Sequence, residues 1–231
     1  MKQQTGKPDA ASVKLLSSLS KMYVSAVSDI LDDLGYNDQV MSAGIKAVNP
    51  ETTLIGLALP VETTWYSKYK KFENFSYEPL YRIFDDIFPS CVIMIATEGR
   101  TSAATWGELV SNAAKAKGAA GFLTDGCVRD LQGILDISPP FPVFAEKYTP
   151  ARSEGRLEYA RTNIPLVCGG VKVNPRDIIF GDKDGVVVIP SGVAADVVKR
   201  AQETVRRESA FRADIRNGAD LRATIQKYGV A

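Results

Sequence analysis

Apolar residues fall at helical spacing between positions 12 and 34, at Val13, Leu15, Leu16, Leu19, Val24, Val27, Ile30, Leu31 and Leu34, with Gly35 placed to stop the run. The spacing predicts one or two helices. Two short apolar runs follow, LIGLALPV at 54–61 and CVIMIA at 91–96. Neither alternates with polar residues, so both are predicted as strands buried on both faces. From position 101 the punctuation is regular. A helical run, TWGELVSNAAKAK, ends at Gly118, a strand, AGFLTD, follows, and Gly126 then opens a turn that holds Arg129 and Asp130. PVFA (142–145), PLVC (165–168), DIIFG (177–181) and VVVI (186–189) read as further strands between Gly, Pro and Asp turns. An amphipathic, charged helix is predicted at 194–216, closed by Gly218, with a short last helix at 221–228. No linker or shift of composition divides residues 1–231, so the pattern predicts one α/β domain with helical ends.

One stretch does not fit this alternation. WYSKYKKFENFSY, at 65–77, sets six aromatics among three lysines. Such a mixture suits a surface that stacks nucleic-acid bases. Its simpler reading is a loop whose aromatics pack on the body of the protein or on a neighbouring subunit.

Composition narrows the chemistry. The chain has 231 residues, 45% of them hydrophobic and 24% charged, the balance of a folded domain rather than a disordered one. Its net charge of +1 gives no electrostatic reason to expect nucleic acid or an anionic membrane. No segment approaches the roughly 20 apolar residues of a membrane span, and MKQQTGKPDAASVK lacks the apolar centre of a signal peptide. Cys91, Cys127 and Cys168 show no CxxC spacing, which points to a reducing, cytoplasmic setting rather than a zinc site or a disulfide framework. There is no histidine. That excludes Ser-His-Asp and Cys-His nucleophiles, HExxH zinc sites and the two-His-one-carboxylate iron triad. Catalysis must rest on carboxylates, Arg, Lys, Tyr, Cys or a metal held by oxygen.

Thr105 and Glu108 stand at capping-box spacing and predict a helix N-terminus near Gly107. A helix from there to Lys117 is about 15 Å long, and a five-residue strand returning after Gly118 covers a similar distance. The segment 126–130 should therefore lie beside the helix N-terminus. The amides of Glu108, Leu109 and Val110 would suit a carboxylate, and Arg129 would add a planar two-pronged donor. Asp130 and Glu108 could hold a hard cation such as Mg²⁺, which takes few protein carboxylates and keeps other ligands as water or substrate. A 2-oxo acid satisfies this set, because its carboxylate and keto oxygen can chelate the metal while Arg129 stabilises the enolate oxygen formed when a carbon–carbon bond breaks. The bland alternatives are a solvated Arg129–Asp130 ion pair, Glu108 as a capping acid, and Cys127 as packing.

At these residues the sequence resembles a known family. WGELVSNAAKAKGAAGFLTDGCVRD is similar to the signature uniting class II 4-hydroxy-4-methyl-2-oxoglutarate aldolases with RraA-like regulators of ribonuclease activity. VSDILDDLG (27–35), FPVFA, TPARSEGR (149–156), IPLVCGGVKVNPRDIIFGDKDGVVVIP (164–190) and the C-terminal helix with Glu208 follow in the family's order. The resemblance implies an αββα sandwich around a swivelling, phosphohistidine-domain-like β/β/α core with helical N- and C-terminal extensions, assembled as trimers or hexamers. It implies that Gly107, Glu108, Leu109 and Val110 form the loop for the pyruvyl carboxylate and that Arg129 binds the keto oxygen. Asp130 would be the metal ligand for Mg²⁺ or Mn²⁺, Glu108 would hold water on the metal, and Glu208 would come from the neighbouring subunit. The implied activity is retro-aldol cleavage of a 4-hydroxy-2-oxo acid to pyruvate, with oxaloacetate decarboxylation through the same enolate. The alternative carried by the same scaffold is a non-catalytic regulator of a ribonuclease or other protein. Three positions depart from the family pattern: Gly133 replaces a common acid, Ser90-Cys91 replaces Gly-Asp, and Arg176 replaces Gly.

Overall fold

The structure, a computed structural model, describes residues 6–71 and 76–229. The helical run near the N-terminus is two helices, α1 (Ala10–Leu19) and α2 (Val24–Asp33). Asp9 caps α1 by accepting from the Ser12 amide at 2.7 Å. Gly35, at φ 84°, ends the segment in the left-handed region.

Four parallel strands make the centre of the sheet. They are β2 (Leu54–Trp65), β3 (Cys91–Ala96), β5 (Gly121–Val128) and β6 (Val143–Tyr148), ordered β6-β5-β3-β2. The connections are helical: α3 (Glu78–Asp86) between β2 and β3, α4 (Glu108–Ala116) before β5, and α5 (Leu131–Leu135) before β6. β4 (Ala104–Trp106) runs parallel to the far end of β5. On the other flank β10 (Ile178–Gly181) pairs antiparallel with the first half of β2, and β11 (Val186–Ile189) pairs with β10. β7 (Leu157–Thr162) pairs with the second half of β2. A separate hairpin, β8 (Leu166–Cys168) and β9 (Val171–Val173), completes the strands.

The sheet nearly closes on itself. β1 (Lys46–Ala47) pairs with β6 at one edge, and a few residues earlier Val40 bridges to Val187 of β11 at the other. The segment 40–47 thus straps the two edges together. Its consequence is two cores divided by the period-2 alternation of the strands. In β3, Val92, Met94 and Ala96 face an inner core with Leu123, Phe144, Ile179 and Val188, closed by Cys168, Val171 and Val173 of the hairpin. Cys91, Ile93 and Ile95 face the outer core, which α1, α2 and α6 (Ala194–Arg216) cover with Leu19, Val27, Leu31, Val197 and Ala201. α7 (Leu221–Tyr228) folds back on α6, where Phe211 meets Tyr228 edge to face and Asp214 takes bonds from Lys227 and Tyr228.

The predicted helices and strands appear close to their expected places, with several differences; the short elements β1, β4, α5 and β9 were not expected, and the helix expected from Thr105 begins at Glu108. Nor were α3 and β7 expected; β2 runs four residues beyond 61, and the strand at 120–125 continues through Gly126 to Val128. Gly126 is no turn. A Cβ there would lie 2.6 Å from Thr97 Oγ1, so its smallness serves close packing of β5 on the end of β3.

The aromatic stretch folds on its own chain. Trp65 ends β2, the Tyr66 hydroxyl bonds the Glu158 carboxylate at 2.6 Å, Lys70 Nζ sits 3.5 Å above the Tyr66 ring, and Arg156 lies over Tyr69. This supports the packed-loop reading. Phe72 and Phe75 lie outside the described residues. No helix among the described residues is long and apolar enough to cross a membrane.

Candidate active site

The C-terminal end of β5 delivers Arg129 and Asp130 beside the start of α4, where strand ends and a helix N-terminus converge. The expected juxtaposition is present, but the local reason differs. Thr105 does not cap α4. It lies in β4, with its hydroxyl toward the Cys127 carbonyl at 3.4 Å, and the N-cap is Gly107. β4 is held to β5 by the Arg129 amide, which donates to the Trp106 carbonyl at 3.0 Å. That bond fixes Gly107 against Arg129 and Asp130. A Cβ on Gly107 would stand 2.5 Å from Asp130 Oδ2 and 3.3 Å from Arg129 Cγ, so any other residue there would displace the Asp130 carboxylate.

No side chain caps α4. Its first-turn amides, at Glu108, Leu109 and Val110, carry the positive end of the helix dipole. Asp130 occupies the N-cap of α5 at φ 58° and ψ 42°, and its side chain makes no capping bond. An Asp at that position ordinarily accepts from the helix it precedes. Here the left-handed backbone turns the carboxylate outward to Gly107 and to Arg129 Nε at 3.3 Å. Both side chains stay partly open, 47% and 40% exposed respectively.

Trp106 makes the floor rigid. Its ring stacks on Phe122 at 4.3 Å and lies parallel to Phe84 at 6.2 Å, while Nε1 donates to Ser111 Oγ, which donates to the Gly107 carbonyl. The Tyr159 hydroxyl donates to the Thr105 carbonyl at 2.7 Å from a fully buried position, and burial pushes that phenol up to about 12. The resulting pocket, about 290 Å³, runs from Gly107, Leu109, Val110, Arg129 and Asp130 to Tyr77, Leu80, Ser153 and Glu154.

Of the expected site residues, Gly107, Leu109, Val110, Arg129 and Asp130 line this pocket together. Glu108 begins α4 but turns its carboxylate to the Asn112 amide and lays its stem across α5. A Cβ on Gly133 would lie 2.6 Å from Glu108 Cγ. The glycine that replaces a common family acid thus makes room for the acid at 108. Glu208 does not line the pocket of its own chain; it sits on α6 near Arg212, at 3.8 Å. All three cysteines are buried, and burial raises Cys91 to about 11, Cys168 well up and Cys127 more modestly, so none offers a thiolate. The wall from Tyr77 to Glu154 was missed in the sequence. Its signals were the polar SEG of TPARSEGR and the Pro79 that starts α3.

A nearly closed α/β sheet with helical ends and an Arg-Asp pair at an open helix N-terminus defines a recognised class. Residues 24–188 match the family described as RraA-like, Aldolase/RraA, and the chain belongs to that family. A protein of Halalkalibacterium halodurans provisionally named 4-hydroxy-4-methyl-2-oxoglutarate aldolase is 29% identical over 218 residues, covering 94% of this chain and 96% of its own length. The crystal structure of an uncharacterized protein from Pseudomonas syringae pv. tomato is similar with a TM-score of 0.80 at 26% identity, covering 95% and 99% of the two chains. Streptomyces coelicolor RraAS2, described as an unusual member of the RNase ES inhibitor RraA protein family, shares the fold with a TM-score of 0.79 at 24% identity over 90% and 99% of the chains.

Proposed function

We propose that this chain is a divalent-metal-dependent lyase that cleaves a 4-hydroxy-2-oxo acid by a retro-aldol reaction, releasing pyruvate, and that it also decarboxylates oxaloacetate. The observation that carries the reading is Asp130, an N-cap acid turned away from its own helix and toward the uncapped start of α4. The name of the Halalkalibacterium relative agrees with it.

The donor set suits Mg²⁺ or Mn²⁺. Asp130 presents one open carboxylate to the pocket, the Glu108 carboxylate is turned to Asn112, and among the described residues no three Asp, Glu, Cys or His side chains gather into an all-protein cage. Mg²⁺ takes one or two protein carboxylates and leaves its other positions to water and substrate. Bound there, the cation would supply Lewis acidity to the 2-oxo group.

The chain's own groups do the rest. Amides of Leu109 and Val110 hold the substrate carboxylate at the positive end of α4. Arg129 donates to the keto oxygen, where negative charge grows as the C3–C4 bond breaks and its electron pair passes into the enolate. The C4 hydroxyl gives its proton to a water in the open pocket and becomes the carbonyl of the leaving aldehyde or ketone; a proton returned from water to C3 of the enolate then gives pyruvate.

We further propose that the site is completed in a homotrimer or hexamer, with Glu208 reaching it from a neighbouring subunit. Leu109 at the pocket and Tyr148 beside Arg129 and Asp130 are 78% and 50% exposed, apolar surface that a neighbouring subunit would cover. The test is pyruvate release from 4-hydroxy-4-methyl-2-oxoglutarate and from oxaloacetate, with Mg²⁺ or Mn²⁺ and with EDTA. Metal-dependent release above the nonenzymatic rate is expected. Its absence with every 4-hydroxy-2-oxo acid tried would overturn the reading.

A further inference from the structure

The two ends of the pocket differ in charge. At the Gly107 end stand the α4 amides and Arg129, suited to one carboxylate and its keto oxygen, with Asp130 beside them as the proposed metal ligand. At the far end stand Tyr77, Leu80, Ser153 and Glu154. Among the described lining residues Arg129 is the one cation, and the far wall carries an acid instead. Arg152 lies outside the lining, exposed, with its guanidinium bonded to the Tyr69 hydroxyl at 3.3 Å and within electrostatic reach of Glu154 and Tyr77, so it softens the charge of the far wall without facing the pocket. Tyr159 lies between the two ends and feels both, Glu154 raising and Arg129 lowering its phenol beside the dominant effect of burial.

This wall is poorly suited to a second carboxylate. A dianion held at the α4 amides would bring its other charge toward Glu154, where like charges repel. Glu154 and the Ser153 hydroxyl can accept bonds from hydroxyl groups, and Tyr77 with Leu80 offers an apolar face for the carbon chain.

Resting on the lyase reading above, we infer that the preferred substrate is a 4-hydroxy-2-oxo acid whose tail beyond C4 is uncharged and bears hydroxyl groups, with Glu154 as the residue that sets this preference. Such a substrate places its one carboxylate at the α4 amides and hydroxyl donors at Glu154. Glu154 is a specificity residue here, because the bond that breaks lies at the other end of the pocket.

The experiment compares kcat/KM for pyruvate release from a 3-deoxy-2-oxo-hexonate, whose tail is neutral and hydroxylated, and from 4-hydroxy-4-methyl-2-oxoglutarate, whose tail is a carboxylate. Both are run with Mg²⁺ on the wild-type protein and on Glu154→Gln. The wild type should favour the hexonate by about tenfold or more, and Glu154→Gln should narrow that ratio severalfold by improving the dianion. Equal or better turnover of the dianion by the wild type overturns the inference while the lyase reading stands. A ratio unmoved in Glu154→Gln removes Glu154 from the role. No pyruvate from either, nor from oxaloacetate, overturns the lyase reading and this inference with it.

Discussion

Two Arg–carboxylate pairs on this molecule differ in how far each partner satisfies the other. Glu62 and Arg161 face each other across β2 and β7, and Nε and an Nη atom of Arg161 meet the two carboxylate oxygens, both at 2.7 Å. Each group is saturated by the other. Arg129 and Asp130 are neighbours in sequence that share a single 3.3 Å contact, and their side chains make no other hydrogen bond among the described residues. Two guanidinium nitrogens and one carboxylate oxygen remain for something else. The bland reading of an Arg-Asp dipeptide as a solvated pair fits Glu62–Arg161 better than it fits the pair at the pocket.

The difference is broken or sharpened most strongly by removing each pair. Arg129→Ala and Asp130→Ala should each lower kcat/KM for pyruvate release by about 10²–10³-fold with the circular dichroism spectrum and oligomeric size unchanged. Arg161→Ala should leave turnover as it is. Loss of activity in Arg161→Ala, or retention in Asp130→Ala, would erase the distinction.

Gly107→Ala comes next. Its methyl would meet Asp130 Oδ2 and displace that half-exposed carboxylate, so steady-state kinetics should show a loss of tenfold or more with little change in thermal unfolding, while Asp130 is left in place.

A smaller effect separates strain that serves the site from strain that does not. Asp130 and Ser90 both hold left-handed backbone, at φ 58° and 63°. Ser90→Gly and Asp130→Gly should each raise stability by up to about 1 kcal/mol, roughly 2–4 °C in Tm for a chain of this size. Only Asp130→Gly should cost activity. Calorimetry with an activity assay reads both.

The smallest effect is on pH. Hydrogen bonding from Arg161 holds the Glu62 carboxyl below its ordinary 4.5. A lowered folded-state value means that the stabilisation is complete above 4.5 and fades as pH falls through the lowered value. Glu62→Gln should therefore narrow the stability gap to wild type only on acidification, and added salt should shrink it further, since the pair is exposed.

Much of this architecture was legible in the chain. Strands buried on both faces announced themselves in CVIMIA and VVVI, because a sheet with two cores needs apolar side chains on both sides. What failed was local punctuation. Thr105 and Glu108 have capping-box spacing, but tertiary pairing draws Thr105 into β4, and the cap falls to Gly107. Gly126 reads as a turn, yet close approach of Thr97 explains it within a strand. The site's near end was visible because its residues are consecutive at 107–110 and 129–130. Its far wall was not, since Tyr77, Leu80, Ser153 and Glu154 come from α3 and the segment before β7, joined only by the fold. Arg176, where the family has Gly, takes φ 73° and is compensated by stacking on Phe88 at 3.6 Å and a bond to the Gly6 carbonyl. No spacing rule foretells that tether.

The strap at 40–47 bears on how copies of this chain can meet. At Val143–Ala145 of β6 and Val186–Val188 of β11 the backbone groups that an open sheet would offer to another chain are taken up by the segment 39–48. Association there cannot proceed by adding strand to strand, which is the route to fibrous aggregates and swapped sheets. Any assembly through these flanks must be written in side chains, and can be altered one residue at a time.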